Sequence, residues 1–202
     1  MKKLFLSTLI LLATVASHAQ QAVGTVTLQP KVGLNIASMT NADDSDPRIG
    51  LAAGAELEYQ VSDIVSLAGG VLYSMQGLKE TTDGVSATAK FDYINIPILA
   101  NVYVAKGFAV KLGIQPGFMV SDKLKVASGS ASGEVGFEEA MKAAGTDVTL
   151  NKFDFTIPVG LSYEYKNVVL DARYNWGLTK VIDGEDTKNS VFQITLGYKF
   201  AL

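Results

Sequence analysis

The 202-residue chain contains no cysteine and a single histidine, His18, and only 18% of its residues are charged. Without cysteine there is no disulfide framework and no thiolate metal site. His18 falls in a stretch that reads as a removable leader, so the mature chain has no imidazole for a nucleophile–histidine triad or a histidine metal centre. Beyond residue 29 there is also no apolar run of the roughly 20 residues that a membrane-spanning helix needs. Catalytic residues, cofactor and metal are therefore all expected to be none.

The leader is legible in its three parts. Lys2 and Lys3 open it, Leu4 to Ala16 is apolar apart from Ser7, Thr8 and Thr14, and Ser17-His18-Ala19 supplies small residues at −3 and −1. Thirteen helical residues reach about 20 Å, short of the roughly 30 Å of a bilayer core, so residues 1–19 are predicted to be a cleaved signal peptide. Cleavage leaves 15 basic against 20 acidic residues. An acidic exported chain is a poor partner for nucleic acid.

What is present is alternation. In 192–202, Phe192, Ile194, Leu196, Tyr198 and Phe200 oppose Gln193, Thr195, Gly197 and Lys199. In 168–178, Leu170, Tyr174 and Trp176 oppose Asp171, Arg173 and Asn175; in 153–165, Phe155, Ile157, Leu161 and Tyr163 oppose Asp154, Thr156, Gly160 and Ser162. Period two recurs over 30–37, 49–59, 64–76, 88–104 and 108–120, which makes eight strands. Links near 61–63, 105–107 and 166–167 are short. Those over 38–48, 77–87, 121–150 and 179–189 are longer, polar and read as loops.

Even strand number with short turns at one rim and long loops at the other is the layout of a transmembrane barrel. A secreted lipocalin-like carrier would alternate too, but would turn its bulky apolar face inward. Here the bulky face is opposed by Gly, Ala and Ser, which suit the narrow lumen of eight strands. Aromatic residues gather near both strand ends, as two interfacial girdles would. The fold expected is all-β: an eight-stranded antiparallel up-and-down transmembrane barrel over residues 20–202, in the bacterial outer membrane. Pro97, Pro116 and Pro158 lie inside these strands and lack a ladder donor. Each is expected to mark a bulge or strand end, beyond which the inward and outward faces would exchange.

Several stretches have a familiar order: Lys31-Val32-Gly33-Leu34-Asn35, Tyr73-Ser74-Met75-Gln76-Gly77, Tyr93-Ile94-Asn95-Ile96-Pro97, Gly113-Ile114-Gln115-Pro116-Gly117, Ala172-Arg173-Tyr174-Asn175-Trp176-Gly177-Leu178 and Leu196-Gly197-Tyr198-Lys199-Phe200. As an ordered set they resemble the PorT-type outer-membrane β-barrel family of the Bacteroidota. The resemblance implies an integral outer-membrane protein and brings no catalytic residues. A secretion-related role attaches to some relatives, but likeness of fold does not transfer it.

Parity assigns nine charged residues to the lumen: Lys31, Glu56, Glu58, Lys111, Asp154, Glu164, Asp171, Arg173 and Lys199. Charges in a narrow interior must pair, so a salt-bridged plug is the economical reading, ahead of an ion path or a carboxylate acid/base pair. The acidic stretch Asn41 to Asp46 lacks the Gly and Glu of a calcium loop, and with Asp183, Glu185 and Asp186 reads as solvated surface. In the longest link, Lys123 and Lys125 precede a Gly/Ser-rich piece. Phe137, Met141 and Ala144 then recur at helical spacing, ending at Gly145. This short helix and its lysines form the candidate recognition loop.

The function expected is a structural or surface-interaction role through the outer loops, with a small-solute pore and a soluble carrier as alternatives. The partners expected are outer-membrane lipid, the barrel-assembly machinery and an extracellular or envelope protein, around a monomer.

Overall fold

The computed structural model describes residues 21–42, 45–82, 84–129 and 131–202. The expected signal peptide at 1–19 lies outside these, as do Asp43 and Asp44 of the acidic stretch. The strands are β1 (Val26–Met39), β2 (Asp46–Ser62), β3 (Val65–Thr82), β4 (Val85–Asn95), β5 (Ile98–Ala105), β6 (Phe108–Ser128), β7 (Ala131–Gly136), β8 (Phe153–Tyr165), β9 (Val168–Lys180), β10 (Lys188–Tyr198) and β11 (Phe200–Ala201). One short helix, α1 (Phe137–Ala143), follows β7.

All pairings are antiparallel, and the sheet closes where β10 meets β1, from Lys31 opposite Gly197 to Met39 opposite Asn189. Eleven segments make eight staves. β4 and β5 are one stave broken at Ile96-Pro97, β10 and β11 are one stave broken at Lys199, and β7 is a flap on β6. Closure removes the sheet edges and satisfies the backbone that lipid cannot. No helix among the described residues is long and apolar enough to cross a membrane.

The apolar face points outward. Val32, Leu34, Leu51, Leu57, Leu112, Leu161, Leu170 and Leu196 are each more than 40% exposed. Residues of the opposite parity on the same staves or on other staves, Gln29, Asn35, Glu56, Ser66, Asn101, Asp171 and Gln193, are buried. A soluble carrier would show the reverse, so that alternative is overturned.

Three tight turns, at residues 63–64, 106–107 and 166–167, share a rim with both ends of the barrel chain. Gly107 takes φ +70° there and Lys166 φ +55°, left-handed geometry that closes a two-residue link.

The prolines do not exchange the faces. β5 continues the register of β4 on both neighbours, with Ile98 opposite Gly69 and Leu72 opposite Asn95. At the break, Ile96 N–H donates to the Pro116 carbonyl (2.8 Å) and Pro97 accepts from Gly70 N–H (3.1 Å). Pro158 stays in step with Asn175. The exchange occurs instead in β6. Tyr93 faces Met119 but Asp92 faces Ser121, so Val120 is the extra residue of a bulge.

Two of the expected loops are strand. The stretch over 77–87 carries β3 and β4 up to Thr82 and Val85 as a hairpin, and much of 121–150 is the β6–β7 hairpin and α1. Above the apolar wall the outward face of these strands turns polar, with Lys79, Lys90, Lys123 and Lys125, while Leu78, Ala89 and Leu124 stay on the inner face against the cap. The bulky-outward pattern of a stave is therefore lost, although β-favouring Thr and Val keep the chain extended.

Candidate functional site

The inward charges lie in layers. In the middle layer, Arg173 on β9 donates to Glu56 on β2 (3.0 Å) and to both oxygens of Asp171 (2.9 and 3.1 Å). Lys31 on β1 meets Glu56 at 2.6 Å and Asp171 at 3.8 Å, and Lys111 on β6 meets Asp171 at 2.6 Å. Five charges from four staves thus share one belt, none more than 4% exposed.

Glycines make the room. Gly54 and Gly197 flank Lys31, Gly70 faces Glu56, and Gly160 faces both Lys111 and Arg173. A Cβ at Gly160 would lie 2.7 Å from both the Ala172 carbonyl and Arg173 Cβ. Long side chains can cross this lumen because their cross-strand neighbours have none.

Toward the tight-turn rim, Lys199 pairs with Glu58 (3.0 Å) and Glu164 (2.9 Å). Tyr103 and Ser66 also donate hydroxyl protons to Glu58, and Asn101 donates to the Ser66 oxygen (3.0 Å). The backbone break at Lys199 is held by Asn167, which donates from its side chain to the Lys199 carbonyl (2.8 Å) and accepts the Lys199 N–H at its own carbonyl (2.8 Å). The middle belt carries three cations and two carboxylates, the lower one cation and two carboxylates. Together they balance.

Asp154 stands apart from both, near the outer mouth. Its donors are the Thr179 hydroxyl (2.6 Å) and the Asn189 amide (3.1 Å).

An arrangement that parity reading missed joins β2, β3 and β4. Arg48 donates to Asp92 (3.2 Å) and to the Gln76 carbonyl, and the Tyr73 hydroxyl donates to Asp92 (2.7 Å). Here the β2–β3 ladder lapses between Pro47 and Ala52. The guanidinium occupies the seam and supplies the cross-strand bonds the backbone lacks. Arg48 does share parity with Gly50 and Ala52, but it stood in a stretch read as loop.

The recognition residues separate into two groups. Phe137 and Met141 turn down onto the barrel mouth, where Phe137 packs edge-on against Phe91 with ring centroids 5.1 Å apart. Met39, Tyr93, Leu150 and Val181 complete an apolar cap over the lumen. Glu138 ties α1 down by accepting the Leu150 N–H (2.8 Å). Lys123 and Lys125 lie on the opposite side of β6, facing away from the cap and paired in register with Lys90 and Thr88. Asp183, Glu185 and Asp186 stay in the 181–187 loop, and among the described residues no three His, Cys, Asp or Glu gather into a metal-holding group.

The sequence pattern of the outer membrane protein beta-barrel domain family matches residues 18–183. The chain belongs to that family. It is accordingly a protein of the bacterial outer membrane, with its polar layers inside a lipid-facing wall. Among solved structures it is similar to the attachment invasion locus protein Ail of Yersinia pestis, at 16% identity over 88% of this chain and 99% of that one, with a TM-score of 0.49. It is similar also to Neisserial surface protein A, at 13% identity over 87% and 97% of the two chains (TM-score 0.49). OprG from Pseudomonas aeruginosa shares 13% identity over 93% and 100% (TM-score 0.48). No curated protein sequence matches the chain significantly. This member of the barrel-domain family carries buried, paired charges inside its wall and an apolar cluster at its outer mouth.

Proposed function

We propose that this barrel-domain protein is a non-enzymatic structural and surface-interaction component of the outer membrane, acting through the parts that stand above the lipid. The observation that carries the reading is the filled interior. Lys31, Glu56, Asp171 and Arg173 are at most 4% exposed at mid-height, and Phe137, Phe91 and Leu150 cover the mouth above them. Solute movement would have to break the belt and lift the cap together. The charges act as a structural plug, in which desolvated groups are retained because each is paired.

Within the family, the ordered motifs from Lys31-Val32-Gly33-Leu34-Asn35 to Leu196-Gly197-Tyr198-Lys199-Phe200 support a PorT-type member from the Bacteroidota. The protein works as a monomer, is inserted by the barrel-assembly machinery, and meets an envelope or extracellular protein through its loops. A planar-bilayer recording of purified protein tests the plug: absence of steady conductance is expected, and reproducible unitary steps overturn the reading in favour of a pore.

A further inference from the structure

The outer wall carries a lysine cluster that the plug does not use. On the lipid-facing side of β3, β4 and β6 the last apolar residues are Met75, Ile94 and Val120. Beyond them Lys79, Lys90, Lys123 and Lys125 share one face. The facing is fixed by the intervening residues: Ala89, Phe91 and Leu124 belong to the cap inside. The lysines therefore point away from the lumen.

A groove of about 570 Å³ opens on this face at the β2–β3 seam, with Ile49 and Met75 along its lower lip and Lys79, Lys90, Lys125 and Thr88 above. Ile49 is 71% exposed, which marks the groove as part of the outer wall. The lysines lie about four residues past the lipid band. At about 3.3 Å per residue and a tilt near 40°, that is roughly 10 Å higher, at headgroup level.

Among the described residues, few acids face the cluster. Glu134 on β7 takes Lys90 and Lys123 (3.1 Å to the latter), Asp46 sits opposite Lys79, and Asp92 is occupied by Arg48. Lys79 and Lys125 have no ion pair among the described residues, so the patch keeps positive charge on a chain whose formal net charge is −3. A patch of lysines beside an apolar lip, at that height, matches one kind of occupant: an acyl chain below and a phosphate above.

We infer that the groove between the β2–β3 seam and the β6–β7 hairpin binds the phosphorylated headgroup of an outer-leaflet lipid, through Lys79, Lys90, Lys123 and Lys125. This goes beyond the loop-mediated protein contact proposed above. It requires the membrane placement but neither the plug nor an envelope partner.

The test uses the full protein in dodecylmaltoside micelles, titrated with a phosphorylated glucosamine lipid (lipid A) and read by native mass spectrometry. The wild type is expected to retain the lipid, and the K79Q/K90Q/K123Q/K125Q variant to bind it at least about tenfold more weakly. Lipid A stripped of phosphate should bind both forms at that weaker level, and K106Q/K166Q at the opposite rim should bind like wild type. Should the fourfold variant not fold, as judged by heat-dependent gel migration, K79Q/K125Q and K90Q/K123Q replace it, each with a partial loss. Equal retention by the lysine variants, or indifference to the phosphate, overturns the inference. Displacement of the lipid by equimolar acyl-free glucosamine phosphate also overturns it, in favour of a soluble anionic ligand.

Discussion

Arg173 and Glu56, 117 residues apart in the chain, meet across the barrel interior at 3.0 Å. The contact ties β9 to β2 without passing through the wall, and Asp171 holds the same guanidinium from β9 itself. The belt is a strut between opposite sides of a cylinder. Its removal leaves the wall hydrogen bonds intact and the interior charges uncompensated.

Asp171→Asn strands Lys31, Lys111 and Arg173 with Glu56 as their only carboxylate in the belt. Removing one partner of a buried pair costs about 3–5 kcal/mol. The double change Asp171→Asn with Arg173→Gln restores the original charge excess and should lose less than the single change. Heat-dependent gel migration measures both; a double variant weaker than Asp171→Asn alone would refute charge balance as the organising term.

Gly160→Val should destabilise the barrel by about 1–3 kcal/mol, since a Cβ there meets backbone and Arg173 Cβ at 2.7 Å. Gly133→Ala on β7 is the control, with nothing within 4 Å of the added carbon. Urea unfolding in micelles should separate the two. Similar midpoints would mean that the lumen accommodates the larger residue.

Phe137→Ala removes the ring that packs on Phe91, and truncation of a buried aromatic costs about 3–5 kcal/mol when complete. The expected loss is local, because the cap sits above the closed wall. Protease cleavage within 137–150 should accelerate while the barrel's heat-dependent migration stays unchanged.

Glu134 lies outside the membrane, and hydrogen bonds from Lys90 and Lys123 hold its carboxyl down to about 2, below the ordinary carboxylate range. A depressed carboxyl contributes its tie above the ordinary value and loses it as pH falls through the depressed one. The Glu134 tie from the β7 flap to Lys90 on β4 should therefore hold at pH 4 and be lost as pH approaches 2, while the flap stays paired to β6. High salt should weaken the effect, since the group is exposed. The Glu134 carboxyl resonance, followed by NMR, gives the midpoint; titration near 4.5 would contradict the pairing.

Period-two alternation carried most of the architecture, because a barrel stave has lipid on one side and a crowded interior on the other along its whole membrane length. Asp171 and Arg173 could be placed inward from their position opposite Leu170 and Tyr174. The same logic misplaced 77–87 and 131–136, where the outward face is polar and the other face holds only scattered apolar residues such as Leu78, Val85 and Val135, so strand looks like loop. There the dipeptide Asp83-Gly84 was the available turn signal, with Gly84 at φ +77°. The Val120 bulge left no mark in composition, since it depends on how Tyr93 and Asp92 pair with their neighbour. Arg48 escaped because its partner, Asp92, sits on the other face of a different strand, a relationship that alternation within one strand does not encode.

The hairpins β3–β4 and β6–β7 rise on one side only, while β1 ends at Met39 and β10 begins at Lys188. The rim is therefore lopsided, and a cylinder that would look alike from every direction in the plane of the membrane acquires a front and a back. Neighbours diffusing beside it meet a tall face on one flank and a low rim on the other, so lateral encounters in the bilayer are distinguishable by approach direction.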